Sequence, residues 1–224
     1  EKDDFIANAA HQLRNPIAAI QSQAEAAERS KTLSSMRSRV KDVAEAAKKT
    51  SRLTQQLLSM EHISQRSIKS EFKQLDLVKL TQEILTKFAL RADKQNVSLS
   101  LECKAIKLLI QGSETFLSEA IDNLIDNALL YGPTNGGSIQ VSLKENNSNA
   151  ELTIKDDGQG IKPELLPNIF DRFFHDSETN SYGSGLGLSI AKTIIEFHEG
   201  KLTLASDNEG TSLNITLPIS SRVS

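Results

Sequence analysis

The sequence predicts two parts of different fold class: an antiparallel helical hairpin that forms a dimeric four-helix bundle, followed by an α/β sandwich domain. In residues 2–57, apolar residues recur at spacings of three and four, which is the period of an α-helix. Beyond residue 75, helical stretches alternate with short runs in which every second residue is apolar, as in strands packed under helices. A polar segment over residues 63–74 separates the two patterns and is interpreted as a linker.

The composition restricts the class of protein and its partners. The chain has 224 residues, 38% hydrophobic and 25% charged, which is typical of a soluble protein, and its net charge of −3 disfavours nucleic acid as a partner. Cys103 is the single cysteine, so a disulfide within one chain is excluded, and a reducing compartment is expected. No apolar run is long enough to cross a bilayer. Because the chain begins at Glu1 without Met, we expect a fragment of a longer protein.

The hairpin is predicted from two amphipathic stretches on either side of a short polar break. The first helix is expected over residues 2–30 and the break at residues 29–32. A heptad pattern then runs from Leu33 to Leu57 without a slip. Small residues on both stretches favour close helix packing, and a lone hairpin buries little surface. This pattern favours a homodimeric four-helix bundle, and an unrelated two-helix appendage is the alternative.

The second part is predicted to hold one mixed sheet with helices on one face. Asp76 can cap a helix over residues 77–93. Further helices are expected over 114–131 and 186–197, and the expected strands are 97–101, 138–144, 151–156, 201–205 and 212–217. An Asn-Asn-Ser-Asn turn joins the second and third of these strands.

Residues 11–16, His-Gln-Leu-Arg-Asn-Pro, place a titratable imidazole beside a proline inside the first predicted helix. A proline in a helix interior costs about 3 kcal/mol because it lacks an N–H and clashes with the preceding turn. Pro16 removes the hydrogen bond that would end on the carbonyl of Gln12, so the helix should be bent or loosened there. Histidine is a good nucleophile near neutral pH, and His11 is therefore a candidate reactive group.

Three further motifs follow in order, and together they indicate a nucleotide site. Asn123 and Asn127 lie four residues apart on one helix face, where amide oxygens suit Mg²⁺. Asp156-Asp-Gly-Gln-Gly160 follows a strand, so its carboxylate can accept from an exocyclic amine while the glycines allow close approach to a ring. Gly183-Ser-Gly-Leu-Gly187 opens a helix, where N–H groups bind phosphate. Neither a Walker loop nor a dinucleotide fingerprint is present.

These motifs closely resemble the catalytic core of a sensor histidine kinase of a two-component system, over residues 2–219. Residues 11–16 resemble the H box of that family, 123–131 the N box, 156–160 the G1 box, 170–174 the F box and 183–188 the G2 box. Gly210 and Thr211, before a strand ending in Leu-Pro, are similar to its closing motif. The domains implied are 1–62 for dimerisation and histidine phosphotransfer, 63–74 as linker and 75–219 for ATP binding.

The resemblance implies roles for residues of the first helix. His11 would accept the γ-phosphoryl group of ATP and pass it to an aspartate of a response regulator receiver domain. Gln12 stands where many relatives carry an acid that acts as a base, and a Gln carbonyl can fix an imidazole tautomer but cannot take a proton at neutral pH. Asn15 would orient the water that removes phosphate from the regulator, which implies phosphatase activity as well.

The resemblance also implies a Mg²⁺-ATP site in the second part, with Asn127 as the metal ligand. Residues 162–184 would form a lid anchored by Phe170, Phe173 and Phe174. Leu130 stands where relatives often carry a basic residue, so one phosphate contact would come from elsewhere. The implied nucleotide-binding residues are Asn123, Asn127, Tyr131, Asp156, Gly158, Gly160, Ile161, Phe170, Gly183, Ser184, Gly185, Leu186, Gly187, Leu188 and Thr211.

Two other functions remain open from the sequence. Gyrase-, Hsp90- and MutL-type ATPases share the nucleotide fold but carry a glutamate base where this chain has Asn123, and they lack the histidine hairpin. A signalling scaffold with a degenerate kinase domain is the other alternative.

The family further implies a homodimer and the cytoplasmic portion of a bacterial inner-membrane sensor, with no membrane contact by this fragment. The remaining histidines are expected to be solvated or at helix ends, with His198 favoured as a cation by the helix dipole.

Overall fold

The computed structural model describes residues 2–64, 72–133, 136–174 and 184–220, and it divides into two compact units, Glu1–Glu61 and His62–Ser224. In the first unit, α1 spans Lys2–Glu28 and α2 begins at Leu33 and ends at Ser64. Arg39 donates a hydrogen bond to Gln23 at 2.9 Å. Because these residues are about equally far from the turn, the helices form the predicted antiparallel hairpin. Helix α1 continues through Pro16 without a break.

The second unit is an α/β sandwich built on a five-stranded mixed sheet of order β2-β4-β5-β7-β6. Only β2 and β4 pair in parallel; the other neighbours are antiparallel. The elements are β1 (Lys73–Asp76), α3 (Leu77–Lys94), β2 (Ser98–Cys103), β3 (Leu109–Gly112), α4 (Glu114–Tyr131), β4 (Ser138–Asn146), β5 (Asn149–Asp156), a 3-10 turn (Leu166–Asn168), α5 (Gly187–Phe197), β6 (Lys201–Asp207) and β7 (Gly210–Pro218).

The core lies between one face of this sheet and helices α3, α4 and α5. In β4, Ile139, Val141 and Leu143 are at most 1% exposed, whereas Gln140 and Lys144 between and beyond them are exposed. This alternation is typical of a sheet with one face covered. The prediction of helices on one face of a mixed sheet is confirmed.

Local signals in the sequence set several element boundaries. Asp76 is the N-cap of α3, and its side chain accepts a hydrogen bond from Val78 N–H at 3.1 Å, as predicted. The hairpin between β4 and β5 turns at Asn147 and Ser148, whose φ angles are 47° and 64°. Two consecutive positive φ angles are typical of the two-residue type I′ turn, whose backbone twist matches the right-handed twist of the strands it joins. The predicted Asn-Asn-Ser-Asn turn is therefore confirmed.

The prediction of a single sheet was incomplete, because β1 and β3 form a separate two-stranded antiparallel sheet. The two strands have four residues each, and they stabilise one another across more than 30 residues of sequence. Part of the predicted linker also has regular structure, since α2 extends to Ser64 and β1 begins at Lys73. Within the described residues, no helix is long and apolar enough to cross a membrane.

Candidate functional site

The three candidate residues of α1 lie on or beside one exposed face. His11 and Asn15 are both exposed and one helical turn apart, and Gln12 is half-buried beside them. A solvent-exposed imidazole is accessible to a second reactant. The structure therefore presents His11 and Asn15 together, as the sequence predicts.

In the second unit, α4 and α5 bring the two predicted asparagines to the start of a helix. A Cβ built on Gly187 would lie 3.6 Å from both side-chain polar atoms of Asn127 and 3.7 Å from Oδ1 of Asn123. Gly187 is the first residue of α5, and Asn123 is 5% exposed. Two motifs about sixty residues apart in sequence thus form one polar corner.

The N-terminus of α5 supplies hydrogen-bond donors to that corner. The first hydrogen bond along the helix joins Ile190 N–H to Leu186 O at 2.9 Å, so the N–H groups of residues 187–189 have no acceptor within the helix. Such a terminus favours anions. Leu186 N–H donates to Ser184 Oγ at 3.2 Å, which fixes the entry of the chain. The side chain of Leu186 is fully buried and that of Leu188 half-buried, so Leu186 would reach a ligand through its main chain, and its place in the site stays a prediction.

Asp156 forms a second polar centre at the end of β5. Its Oδ1 accepts from Gly158 N–H at 3.0 Å and from Thr211 N–H at 3.3 Å. Neither bond uses Oδ2, which is left as an acceptor for a ligand. Burial raises the pKa of the Asp156 carboxyl above its ordinary value, and the two backbone hydrogen bonds offset part of that rise.

The glycines around Asp156 are required by close packing of the main chain. A Cβ on Gly158 would lie 2.7 Å from the carbonyl carbon of Gly132, and Gly160 has a φ of 72° with Asp207 O directly against its Cβ position. A Cβ on Gly132 would be 3.1 Å from Asp156. The C-terminal end of α4, where Tyr131 is 45% exposed, therefore lies beside Asp156.

A cluster of hydroxyl groups lies next to Asp156 at the end of the β6–β7 hairpin. Ser206 Oγ is 3.0 Å from Thr211 Oγ1 and accepts a hydrogen bond from Ile161 N–H at 2.9 Å. Ser206 thus links Thr211 to Ile161, and both of these are predicted site residues. Sequence reasoning missed Ser206, although a polar residue in the strand before Gly-Thr was a signal that could have found it.

The predicted F box is joined to the glycine-rich loop by main chain. Phe173 N–H donates to Gly185 O at 2.9 Å, and both residues have positive φ angles, 62° and 67°. Lys192 Nζ lies 5.2 Å from the centroid of the half-buried Phe170 ring. Gly183 and residues 175–182 of the predicted lid lie outside the described residues.

Two side-chain contacts near the site were not predicted from the sequence. Asp157 accepts from Ser138 N–H at 2.8 Å and from its hydroxyl at 2.7 Å, and these bonds lower the pKa of Asp157. Arg91 of α3 forms an ion pair with Asp126, which is 4% exposed and lies between Asn123 and Asn127 on α4. The ion pair holds α3 against the helix that carries both asparagines.

His198 is a buried structural residue, so the expectation of a cation at this position was wrong. It is 2% exposed, its Nδ1 lies 2.7 Å from Ile194 O, and its Nε2 accepts from Ser113 N–H at 3.0 Å. One ring nitrogen donates and the other accepts, which is the neutral tautomer. Its ring also stacks on Phe72 at 4.6 Å. Burial lowers the pKa of His198 despite its place at a helix C-terminus.

This burial predicts a pH-dependent stability that is carried by one residue. Because the pKa of His198 is lower in the folded state than the ordinary value of 6.5, the unfolded chain binds the proton more readily. The contribution of His198 to the free energy of unfolding should therefore fall as the pH falls through 6.5, and hold steady above it. Urea unfolding at a series of pH values between neutrality and mild acid measures the slope. His198→Gln should reduce this slope, whereas the control His11→Gln, at an exposed position, should not change it. An unchanged slope in His198→Gln would contradict the attribution of the pH dependence to His198.

Among the described residues, no group of three or more His, Cys, Asp or Glu side chains has the arrangement of a metal site. The polar corner at α5 therefore offers amide oxygens and helix N–H groups, and the Asp156 centre offers a carboxylate oxygen. The first centre thus offers hydrogen-bond donors to an anion, and the second offers an acceptor to an amine.

Comparison with known proteins gives the family. Residues 112–221 match the family described as histidine kinase-, DNA gyrase B-, and HSP90-like ATPase, and residues 1–66 match the His Kinase A (phospho-acceptor) domain. The two matches together take in well over half of the chain. The chain belongs to the sensor histidine kinases and carries their catalytic core.

Individual relatives agree with this assignment. The sensor protein kinase PmrB of Pseudomonas aeruginosa is 30% identical over 94% of this chain and 44% of its own length. The structure of the mycobacterial sensor histidine kinase MprB is 29% identical, with a TM-score of 0.58 over 66% of this chain and 97% of that one. Histidine kinase ThkA, in complex with response regulator protein TrrA, shares the fold at a TM-score of 0.77 and 23% identity, over 97% of this chain and 61% of that one. The chain spans about half the length of the curated relatives it matches.

Proposed function

We propose that the chain phosphorylates itself on His11 with ATP, transfers the phosphoryl group to an aspartate of a response regulator, and also dephosphorylates that regulator. The observation that carries the proposal is the polar corner, where Asn123 and Asn127 face the N-terminus of α5 at Gly187. Phosphoryl transfer requires chiefly positioning and charge neutralisation of the phosphates. This corner offers both, and the exposed His11 offers the acceptor.

The two polar centres of the second unit suit opposite ends of ATP. The N–H groups at the start of α5 match a phosphate chain, which is anionic and needs donors. Oδ2 of Asp156 matches the exocyclic amine of adenine, which donates. Thr211 pairs with Asp156 across the β5–β7 ladder, and Tyr131 comes directly before Gly132, whose Cβ position lies 3.1 Å from Asp156; both would line the base. We assign the remaining residues implied by the family to the same site.

Magnesium fits the donor set at this corner. Mg²⁺ prefers hard oxygen ligands and keeps several waters and phosphate oxygens, so few protein ligands are needed. The amide oxygen of Asn127 is such a ligand, and we propose it as the metal contact, with Asn123 one turn earlier. When bound, the ion would neutralise charge on the phosphates. The side chains of this chain would hold and orient it.

At His11, a nitrogen of the neutral imidazole would attack the γ-phosphorus of ATP. The new N–P bond replaces the bond from that phosphorus to the β–γ bridging oxygen, and ADP leaves. The proton on the other ring nitrogen then passes to solvent water, because the carbonyl of Gln12 can hold that N–H in a hydrogen bond but cannot take the proton. In the second step an aspartate oxygen of the regulator would take the phosphoryl group from His11.

We propose that the hairpin dimerises. On α2, Leu33, Met36 and Val40 follow spacings of three and four and are 64%, 40% and 54% exposed. On α1, Ile17 is 44% exposed. A second copy of the hairpin would cover such a stripe and complete a four-helix bundle.

The domains proposed are residues 1–62, the linker 63–74 and residues 75–219, in the cytoplasmic portion of a bacterial inner-membrane sensor.

Incubation with γ-labelled ATP and Mg²⁺ tests the proposal and separates it from its alternatives. A kinase gives protein-bound label that is labile in acid and stable in base, as a phosphoramidate is. Release of free phosphate without labelled protein would instead indicate a water-dependent ATPase of the gyrase type. Neither product would indicate a scaffold, and either of these two results contradicts the proposal.

Replacing Gln12 by glutamate is expected to speed autophosphorylation. A carboxylate can take the imidazole proton, and a positioned base contributes at least about tenfold in rate. Initial rates of label incorporation measure the effect. Gln21→Glu, at an exposed position of the same helix, is the matched control and should be neutral. A Gln12→Glu variant no faster than wild type would remove Gln12 from the proposed mechanism.

Replacing Asn15 by alanine is expected to lower phosphatase activity toward the phosphorylated regulator by at least about tenfold, because the group that orients the water is lost. Autophosphorylation of His11 should persist. Decay of a labelled receiver domain and label incorporation into the kinase measure the two activities. Asn8→Ala, at another exposed position of α1, should change neither. Equal loss of both activities in Asn15→Ala would count against a separate phosphatase role.

A further inference from the structure

We propose that Ser206 is a positioning residue of the nucleotide site, which fixes the hydroxyl of Thr211 as a hydrogen-bond acceptor and thereby favours adenine over 6-oxopurine bases. The inference rests on the proposed function, since it concerns how the same site selects its base. Ser206 belongs to β6 and to none of the motifs that define the site. Its role depends on which of its neighbours receives its single hydroxyl proton.

Ser206 Oγ makes three polar contacts, and their chemistry fixes its proton. Ile161 N–H donates to Ser206 Oγ at 2.9 Å, and an amide N–H can only donate. Gly210 O lies 3.0 Å from the same oxygen, and a carbonyl can only accept. The single proton of Ser206 therefore points to Gly210 O. The third contact, with Thr211 Oγ1 at 3.0 Å, must then be one in which Thr211 donates.

This donation determines what Thr211 can offer to a ligand. Thr211 pairs with Asp156 across the antiparallel β5–β7 ladder, so the two side chains project from the same face of the sheet. Thr211 N–H also donates to Oδ1 of Asp156. With its hydroxyl proton on Ser206, Thr211 Oγ1 presents lone pairs alone. Together with Oδ2 of Asp156, it forms an edge of the site that accepts and does not donate.

An edge made of acceptors discriminates between purines at ring position 6. Adenine carries an amine there, which has two protons to donate. Hypoxanthine and guanine carry a carbonyl, whose lone pairs would face those of Asp156 and Thr211 without a hydrogen bond. Leaving desolvated acceptors without a partner weakens binding substantially. Without Ser206, the Thr211 hydroxyl is released to rotate and donate to such a carbonyl.

The test compares ATP with inosine triphosphate, which replaces the 6-amine by a carbonyl and has the same phosphates. Calorimetric titration of the whole chain in Mg²⁺ gives the ratio of the two Kd values. We expect Ser206→Ala to lower the preference for ATP by about five- to tenfold. Thr211→Val should lower it as well, because it removes the acceptor. In the Thr211→Val background, Ser206→Ala should have no further effect on the ratio.

Controls separate this role from a structural one. Ser206→Thr keeps the hydroxyl and should keep the ratio, and Ser212→Ala makes the same change on β7 away from Asp156. Loss of affinity for both nucleotides by the same factor in Ser206→Ala overturns the inference, and so does an unchanged ratio in Thr211→Val. Wild-type protein that binds neither nucleotide overturns the proposed function too, whereas ATP binding with an unchanged ratio overturns this inference alone.

Discussion

A chain with His11→Ala is expected to take up less than about 1% of the label that the wild type takes from γ-labelled ATP, since the nucleophile itself is removed. His11 belongs to the helical unit, whereas every residue of the proposed nucleotide site belongs to the α/β unit. The Kd for ATP should therefore stay at the wild-type value. Label incorporation and calorimetric titration measure the two quantities on the same preparation.

The matched control is His62→Ala, near the C-terminal end of α2. It should be labelled as fully as wild type. Normal labelling of His11→Ala would show that another residue accepts the phosphoryl group. Loss of ATP binding in His11→Ala would show that the two units do not act separately in binding. Either result would contradict the proposal that His11 accepts the phosphoryl group while the second unit alone binds ATP.

Asp156→Asn is expected to weaken ATP binding by about 100-fold, because it turns an acceptor toward the base into a donor. The asparagine oxygen can keep both hydrogen bonds from Gly158 and Thr211, as Oδ1 does now. Its amide group then faces the adenine amine, donor against donor. Titration with ATP measures the loss, and Asp157→Asn is the control, since that carboxylate binds Ser138 instead.

The same substitution should leave the nucleotide-free fold at least as stable. Burial raises the pKa of Asp156, so folding disfavours its charged form, and the free energy of unfolding falls as the pH rises above the ordinary value of 3.8. Asp156→Asn removes that charge and its pH dependence. Thermal unfolding without nucleotide checks this directly. A variant that both loses ATP and unfolds at lower temperature would point to a structural role for the carboxylate.

Local signals predicted most of the fold. The helix expected over residues 114–131 is α4 as observed, because its apolar face and the residues at its ends agree. The Asp76 cap and the turn at Asn147 and Ser148 likewise depend on neighbours in sequence. By contrast, β1 and β3 were missed, since four-residue strands carry little pattern and depend on pairing with each other.

The motifs predicted which residues form the site but not how they contact one another. Asn127 and Gly187 were expected in one site through the family resemblance, and the packing of α4 on α5 brings them together. The contacts of Ser206 join segments 45 residues apart and follow no periodicity. The burial of His198 likewise comes from Phe72 and Ser113, which the sequence separates by many residues. Tertiary contacts of this kind are invisible to patterns read along one chain.

The central claim is that His11 accepts the phosphoryl group. Its most direct test is fragmentation mass spectrometry of the chain after incubation with Mg²⁺ and ATP, kept at alkaline pH, where a phosphoramidate survives. The account predicts a single added phosphoryl group, located on His11, in a peptide that contains residues 11–16. A phosphoryl group located on any other residue, or none on a chain that binds ATP, would contradict it.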